Sequence, residues 1–276
     1  MSEAAASGPT ILAADSGLGG LTIVSEIRKA LPQARLAYLC DNAFFPYGTR
    51  PDAELLAHFL DVMNRAIRRV RPDLIVTACN TISTICLPQL RAATTIPVVG
   101  VVPAVKPAAQ QSKRKVIGLL ATPATVNRPY TDDLIQRYAA DCTVLRIGSA
   151  ELVEMAEARL LGEVIDRARL SRILAPFFDR PVETQPDVVV LACTHFPLLR
   201  AELQAAGPTD VAWVDSGNAV ARRVVDVLPP PRGAGIADDL ALTSATHGPA
   251  LQHALAQFGF ATVETLGVTQ PAQGED

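Results

Sequence analysis

The sequence predicts an α/β protein made of two pseudo-symmetric α/β domains with mainly parallel sheets and a functional cleft between the domains. Three observations support this fold class. Short aliphatic runs alternate with amphipathic stretches, small and polar residues follow several of these runs, and one segment of the chain recurs later in similar form.

Eight aliphatic runs have the length and composition of strands that are buried on both faces. They cover residues 10–14, 35–39, 73–78, 96–102, 115–120, 142–147, 187–192 and 211–214. Between the second and third runs, residues 51–70 have the apolar spacing of an amphipathic helix. This alternation is typical of βαβ units, so we expect parallel strands with polar residues gathered at their carboxyl ends.

The recurring segment ends in a cysteine both times. RPDLIVTACNTIS (71–83) aligns without a gap with QPDVVVLACTHFP (185–197), which matches Cys79 with Cys193. Each cysteine follows a predicted buried strand. We therefore expect the two thiols to lie at the carboxyl edges of two related sheets.

An earlier pair of segments is also comparable, because in each an aliphatic strand runs into small and hydroxyl residues before a helix. These segments are ILAADSGLGGLTIV (11–24) and VIGLLATPATVN (116–127). The simplest account is two half-related domains. We expect residues 1–103 plus 211–276 to form the first domain and residues 104–210 to form the second.

Composition narrows the class of protein. Hydrophobic residues make up 49% of the chain and charged residues 19%, which is typical of a well-packed globular protein, and a net charge of -3 favours no nucleic-acid partner. No apolar run approaches the roughly 18 to 20 residues that cross a membrane. The start, MSEAAASGPT, lacks the features of a signal peptide. We expect a cytoplasmic protein with a short disordered leader, an exposed proline-rich loop at 227–239 and a frayed end, QPAQGED.

The five cysteines are odd in number and lack metal-ligand spacing, so the sequence predicts free thiols and no metal site. Cys40, Cys86 and Cys142 are expected to be small core residues. Cys79 and Cys193 allow a chemical interpretation, because a thiolate on one side of a cleft can take a proton from a carbon while a thiol on the other side returns one. This exchange would invert a stereocentre. The alternative is two buried cysteines in a duplicated fold.

Polar residues surround both candidate thiols. Asn80, Thr81, Thr194 and His195 follow them directly, where they can cap a helix, bind a carboxylate or tune the proton affinity of a thiol. The other three histidines are in helix-like stretches that we expect at the surface. A lysine Schiff base with phosphate anchors is not indicated, because Lys106 has no such setting.

Two further motifs carry candidate ligand-binding residues. In ADSGLGGLT (14–22), Asp15 and Ser16 precede glycines that are expected to let a ligand approach backbone amides, but the last glycine of a dinucleotide motif is replaced by Thr22. In DNAFFPYGTR (41–50), a turn at Pro46–Gly48 is expected to present backbone amides and a phenol to a carboxylate.

Taken together, DSGLGG, PYGTR, ACNTIS, GLLATPATV and ACTHFP resemble the glutamate racemases of the wider aspartate/glutamate racemase superfamily, from about Ile11 to Phe260. The resemblance implies cofactor-independent interconversion of L-glutamate and D-glutamate, a peptidoglycan precursor, by a homodimer. It implies that Cys79 deprotonates D-glutamate, that Cys193 deprotonates L-glutamate, and that Asp15 and His195 assist. The residues it implies for holding the substrate are Asp15, Ser16, Pro46, Tyr47, Gly48, Asn80, Thr81, Thr122, Thr125, Thr194 and His195.

Two alternatives stay open at this point. One is another activity of the superfamily, such as an aspartate or hydantoin racemase or a decarboxylase of small dicarboxylates. The other is a catalytically silent binding protein. The paired cysteines and His195 favour the glutamate reading over both.

Overall fold

The computed structural model describes residues 8–232 and 235–267, which form ten strands and eleven α-helices. The strands are β1 (Thr10–Asp15), β2 (Arg35–Cys40), β3 (Leu74–Thr77), β4 (Val98–Gly100), β5 (Val116–Ala121), β6 (Thr143–Gly148), β7 (Val188–Leu191), β8 (Ala212–Val214), β9 (Leu240–Thr243) and β10 (Thr262–Thr265). The helices are α1 (Leu21–Ala30), α2 (Asp52–Val70), α3 (Asn80–Ala93), α4 (Val105–Gln111), α5 (Pro123–Val126), α6 (Pro129–Tyr138), α7 (Glu151–Leu160), α8 (Arg167–Phe178), α9 (Arg200–Ala206), α10 (Gly217–Val227) and α11 (Pro249–Gln257).

Every strand pair is parallel, and the strands form two separate sheets. The first has six strands in the order β10-β9-β2-β1-β3-β4, and the second has four in the order β6-β5-β7-β8. We call the six-stranded sheet and the helices packed on it the first half. The four-stranded sheet and its helices are the second half. This arrangement confirms the predicted fold class of two α/β units with parallel sheets.

Helices cover both faces of each sheet because the central strands are apolar on both faces. In β1, Ile11 and Ala13 pack towards α1 and α10, whereas Leu12 and Ala14 pack towards α2 and α3. In the second half, one face of β7 packs against α7, α8 and α9, and the other packs against α4 and α6. Polar side chains consequently gather at the strand ends.

All eight predicted strands are present, and β9 and β10 were missed. β9 is a four-residue run next to the predicted proline-rich loop, too short to separate from it by pattern. β10 is an edge strand whose side chains are half-buried or exposed, so it lacks an aliphatic run. Residues 1–7 of the predicted leader MSEAAASGPT and the end QPAQGED (270–276) lie outside the described residues, whereas Thr10, the last residue of that leader, is the first residue of β1.

Two sequence expectations need correction. Residues 211–276 were assigned to the first domain, but β8 pairs with β7, so this strand belongs to the second sheet. The chain rejoins the first half at α10, which packs against α1. The wider division into two domains stays a prediction. Cys142, expected in the core, is partly exposed beside Asp141, while Cys40 and Cys86 are buried as expected.

The repeat places an aspartate at the start of a central strand in each half, and both carboxylates bind backbone N–H groups of another segment. Asp73 accepts from the N–H of Thr10 at 2.9 Å. Asp187 accepts from the N–H groups of Lys113 and Arg114 at 2.8 and 2.9 Å, and from the Ser112 hydroxyl at 2.6 Å. Each aspartate therefore ties its own strand to the segment that begins the neighbouring strand.

The hydrogen bonds that Asp187 accepts from residues 112–114, which we call the Asp187 clamp, predict that the stability of the fold depends on pH. Burial raises the pKa of this carboxyl, but the hydrogen bonds from Ser112, Arg114 and Lys113 outweigh burial and hold the pKa below its ordinary value. Such a group stabilises the fold above its unfolded-state pKa and loses the effect as pH falls through its folded-state pKa. We expect Asp187→Ala to lower the free energy of unfolding by about 1 kcal/mol at neutral pH, since the carboxylate is partly screened by solvent, and by much less in acid.

Urea denaturation near pH 7 and below about pH 3 checks this prediction. Asp61→Ala is the control, because this carboxylate is 51% exposed and forms one ion pair with Arg65 on the same helix. We expect the control to change stability less than Asp187→Ala at neutral pH. An equal loss for Asp187→Ala at both pH values would contradict the clamp.

Candidate active site

A small cavity lies between the carboxyl edges of the two sheets. The predicted site residues that line it are Ser16, Pro46, Tyr47, Gly48, Cys79, Thr81, Thr122, Cys193 and His195. Each follows the end of a parallel strand, as expected for α/β folds. The two cysteines therefore share one cavity, although they are far apart in the chain.

The other predicted residues are buried beside this cavity. Asp15 and Thr125 are fully buried, and Asn80 and Thr194 are each 3% exposed. Asn80 and Thr194 line a smaller cavity that also reaches Cys193. The Oδ1 atom of Asn80 has no hydrogen-bond partner among the described residues, so it remains able to accept a bond from a ligand.

Cys79 stands at the N-cap position of α3, directly after β3. Burial and then the charge of Asp15 raise the pKa of this thiol well above its ordinary value, while the N–H of Ile82 at the helix start acts in the opposite direction. The sequence argument required a pKa nearer neutrality. No lysine or arginine lines the cavity within the described part of the chain, and the imidazole of His195 lies beside the other thiol, so a cationic ligand is a suitable source of positive charge next to Cys79.

Asp15 connects the two halves beside Cys79. Its Oδ1 accepts from the N–H of Ser16 at 2.6 Å, and its Oδ2 accepts from the Thr194 hydroxyl of the second half at 2.9 Å. Burial raises the pKa of the Asp15 carboxyl, and His195, Thr194, Ser16 and Cys79 offset this rise only in part. Asp15 is therefore a stronger base than an exposed carboxylate.

His195 lies beside the other thiol, with Nδ1 3.8 Å from the Sγ of Cys193 and Nε2 2.7 Å from the Oε1 of Glu157. Burial lowers the pKa of this imidazole, but Cys193 and Glu157 more than compensate and raise the pKa well above its ordinary value. The same Glu157 oxygen accepts from the N–H of Leu18 at 2.5 Å. His195, paired with Glu157, thus presents a protonated imidazole to Cys193.

Glu157 was missed by the sequence analysis. It lies in the middle of α7, where EMAEARL is an ordinary amphipathic pattern with no motif around it. Only the fold brings its carboxylate to His195. The two thiols are matched in the repeat, but their partners differ: a carboxylate accompanies Cys79, and an imidazole backed by a carboxylate accompanies Cys193.

The glycines of DSGLGG have a different role from the expected one. A Cβ atom at Gly19 would lie 2.3 Å from the Nδ1 of His195, and one at Gly17 would lie 2.2 Å from the Oε1 of Glu157. Real Cβ atoms do not approach other atoms so closely. These glycines therefore admit side chains of the second half, where the sequence suggested a ligand against backbone amides.

Hydroxyl groups of the two halves meet at another wall of the cavity. The Thr81 hydroxyl lies 3.2 Å from that of Thr122 and 3.4 Å from that of Thr125. Thr122 also caps α5 by accepting from the N–H of Thr125. Close by, Arg128 of α6 forms a two-pronged ion pair with Asp52 of α2.

Tyr47 corrects another expectation. Its hydroxyl donates to the Oδ2 of Asp41 at 2.5 Å, so the phenol is not offered to a ligand as the sequence suggested. Burial and the Asp41 charge raise the pKa of Tyr47 well above its ordinary value. His58, expected at the surface, is buried against the same carboxylate.

Residues 8–232 and 235–267 contain no group of three or more histidine, cysteine, aspartate or glutamate side chains that can hold a metal ion. Over the same ranges, no helix combines the length and the apolar composition that crossing a membrane requires.

Comparison with known proteins agrees with this geometry. A profile of the Asp/Glu/Hydantoin racemase family matches residues 21–224. Glutamate racemase from Sodalis glossinidius is 46% identical over 263 residues, which are 93% of this chain and 90% of that protein. Glutamate racemase from Shewanella sp. strain MR-7 is 51% identical over 79% of each chain.

Comparison of the fold with solved structures also points to glutamate racemases. The crystal structure of Escherichia coli glutamate racemase in complex with L-glutamate and the activator UDP-MurNAc-ala superimposes with a TM-score of 0.90 at 44% identity, covering 95% of this chain and 100% of that one. Full-length similarity of sequence and fold accompanies a cavity that holds two thiols. The chain therefore belongs to the Asp/Glu/Hydantoin racemase family and groups with its glutamate racemases.

Proposed function

We propose that this protein interconverts L-glutamate and D-glutamate without a cofactor, by acid–base chemistry at Cys79 and Cys193. The observation that carries the proposal is that both thiols line one small cavity, each with its own proton-directing partner. The E. coli relative binds L-glutamate, and we extend that ligand to this chain.

The reaction moves one proton on and one proton off the α-carbon. With D-glutamate bound, the Cys79 thiolate takes the α-proton and forms an S–H bond, and the electron pair of the C–H bond passes to the carbanion. The Cys193 thiol then gives its proton to the opposite face and becomes a thiolate. The L-to-D direction reverses these roles. Before another turnover in the same direction, Cys79 loses its new proton to solvent and Cys193 regains one from solvent.

The bound substrate supplies positive charge beside Cys79. An α-ammonium group near Asp15 and Cys79 favours the anionic forms of both groups and opposes the rise in their pKa values. Asp15, being a stronger base than usual, can receive the proton that leaves the Cys79 thiol. On the other side, the protonated His195 stabilises the Cys193 thiolate.

The carbanion is the costly species, because an amino acid α-proton is much less acidic than a thiol. Oriented donors stabilise it where charge develops on the α-carboxylate, and each is typically worth about 3 kcal/mol in such sites. The Thr81 and Thr122 hydroxyls, which lie 3.2 Å apart, are suitable donors, as are the N–H groups at the start of α3. Asn80 retains a free acceptor for the ammonium group.

The physiological setting follows from the family. We propose that the product D-glutamate enters peptidoglycan synthesis and cell-wall biogenesis, and that the protein is a cytoplasmic homodimer. Light scattering coupled to size exclusion tests the dimer, and cell fractionation tests the location.

The decisive experiment is circular dichroism of L-glutamate incubated with the protein in D2O, followed by mass analysis of each enantiomer. Loss of optical activity with deuterium appearing first in the D-product supports two separate acid–base groups. If glutamate does not react, L-aspartate and 5-substituted hydantoins test the related racemase activities. Binding without turnover of any of these substrates favours a silent binding protein.

In the proposed mechanism, neither cavity thiol can replace the other. Cys79→Ala and Cys193→Ala should each lower racemisation by at least about 100-fold in both directions, because each turnover uses both groups. Cys86→Ala is the matched control, since Cys86 is a buried cysteine of α3 outside the cavity. It should keep its activity while its melting temperature falls. Substantial turnover in either cavity mutant would refute the two-thiol mechanism.

Mutations of Asp15 and His195 should affect different proton transfers. Enantiomers have an equilibrium constant of one, so kcat/KM must stay equal in both directions in any mutant. Asp15→Asn should slow mainly the proton transfer at Cys79 and His195→Asn mainly that at Cys193. We therefore expect a larger primary deuterium isotope effect with D-glutamate for Asp15→Asn and with L-glutamate for His195→Asn. Wild-type rates in both mutants would exclude an assisting role.

A further inference from the structure

The cavity wall formed by Pro46–Thr49 has little secondary structure to hold it. It follows β2 and contains one short 3-10 turn at Tyr47–Thr49, and none of it lies in a sheet. Pro46, Tyr47, Gly48 and Thr49 all line the cavity. Side-chain contacts therefore have to set the position of this wall.

The first of these contacts is made by Tyr47. Its hydroxyl donates to the Oδ2 of Asp41, a carboxylate with no exposed surface. Asp41 itself is anchored, because its N–H donates to the backbone oxygen of Asp15 at 2.8 Å. The wall is thus tied to the end of β1 through one buried carboxylate.

His58 of α2 is the second partner of that carboxylate. Its Nε2 lies 3.0 Å from the Oδ1 and 2.8 Å from the Oδ2 of Asp41, and its side chain is only 7% exposed. An ionised carboxylate only accepts hydrogen bonds, so Nε2 carries the proton that is donated. If Tyr47 were the only side chain that donated to the buried Asp41 carboxylate, the Oδ1 atom would lose the hydrogen bond from His58.

His58 also contacts the segment directly. Its ring stacks on Phe44 with 3.5 Å between the centroids and an angle of 5° between the planes. The Arg50 guanidinium lies 4.9 Å from the centroid of the same Phe44 ring. His58, on the 19-residue helix α2, therefore contacts Phe44, which precedes the cavity wall. It also binds Asp41, which accepts the hydrogen bond from Tyr47 in the wall.

We propose that His58 is a positioning residue for glutamate binding: through Asp41 and Phe44 it holds the Pro46–Thr49 wall in the conformation that accepts the substrate. The inference rests on the proposed function. His58 does not line the cavity and takes no part in proton transfer. Because the Pro46–Thr49 wall supplies none of the groups that transfer protons, we expect its position to affect the bound substrate and the transition state alike.

The test compares His58→Leu, His58→Gln and Tyr47→Phe in steady-state assays with each enantiomer. We expect His58→Leu to raise KM by about tenfold, as for loss of one well-placed contact, with a smaller change in kcat. The glutamine amide can donate to Asp41, so His58→Gln should recover most of the affinity. His253→Leu, at an exposed position of α11, is the control and should match the wild type.

A double-mutant cycle adds a measurement that a purely structural role would not move. If His58 and Tyr47 act through the same carboxylate, His58→Leu combined with Tyr47→Phe should raise KM little more than the stronger single mutant. An unchanged KM in His58→Leu, additive effects in the double mutant, or a fall in kcat that only follows the loss of folded protein would each overturn the inference. A wild-type protein that neither racemises nor binds glutamate would instead overturn the proposed function together with it.

Discussion

The hydrogen bond from the Thr194 hydroxyl to the Asp15 carboxylate joins the two halves of the chain where solvent is excluded. Much of the site depends on this contact. It holds the DSGLGG turn against Thr194 and His195. Because Gly17 and Gly19 have no side chains, Glu157 and His195 can lie close to the backbone of this turn. A carboxylate buried so completely would be costly without donors from both halves.

The residues at strand ends were predictable because two constraints coincide there. An aliphatic run marks a strand that is buried on both faces, and a parallel strand delivers its next residues to the edge where ligands bind. Cys79 and Cys193 satisfy both conditions, and the sequence repeat alone relates one to the other. The central strands were predictable for the same reason.

Glu157 and His58 could not be found in this way. Each sits within an amphipathic helix, where a charged or polar residue normally faces solvent, and neither has a neighbouring motif. Their partners, His195 and Asp41, are 38 and 17 positions away in the chain and are reached only after the helices pack. A local pattern carries no information about which side chain a helix presents to a buried charge. The fold supplied that information.

The proton affinity of Cys79 has a consequence for the resting protein. Oxidants and alkylating reagents attack thiolates, and burial together with Asp15 favours the neutral form of this thiol. In the proposed mechanism, a cationic substrate favours the thiolate and at the same time covers the sulfur atom. In the proposed mechanism, one of the two cysteines that transfer protons is thereby a poor target for oxidation and alkylation.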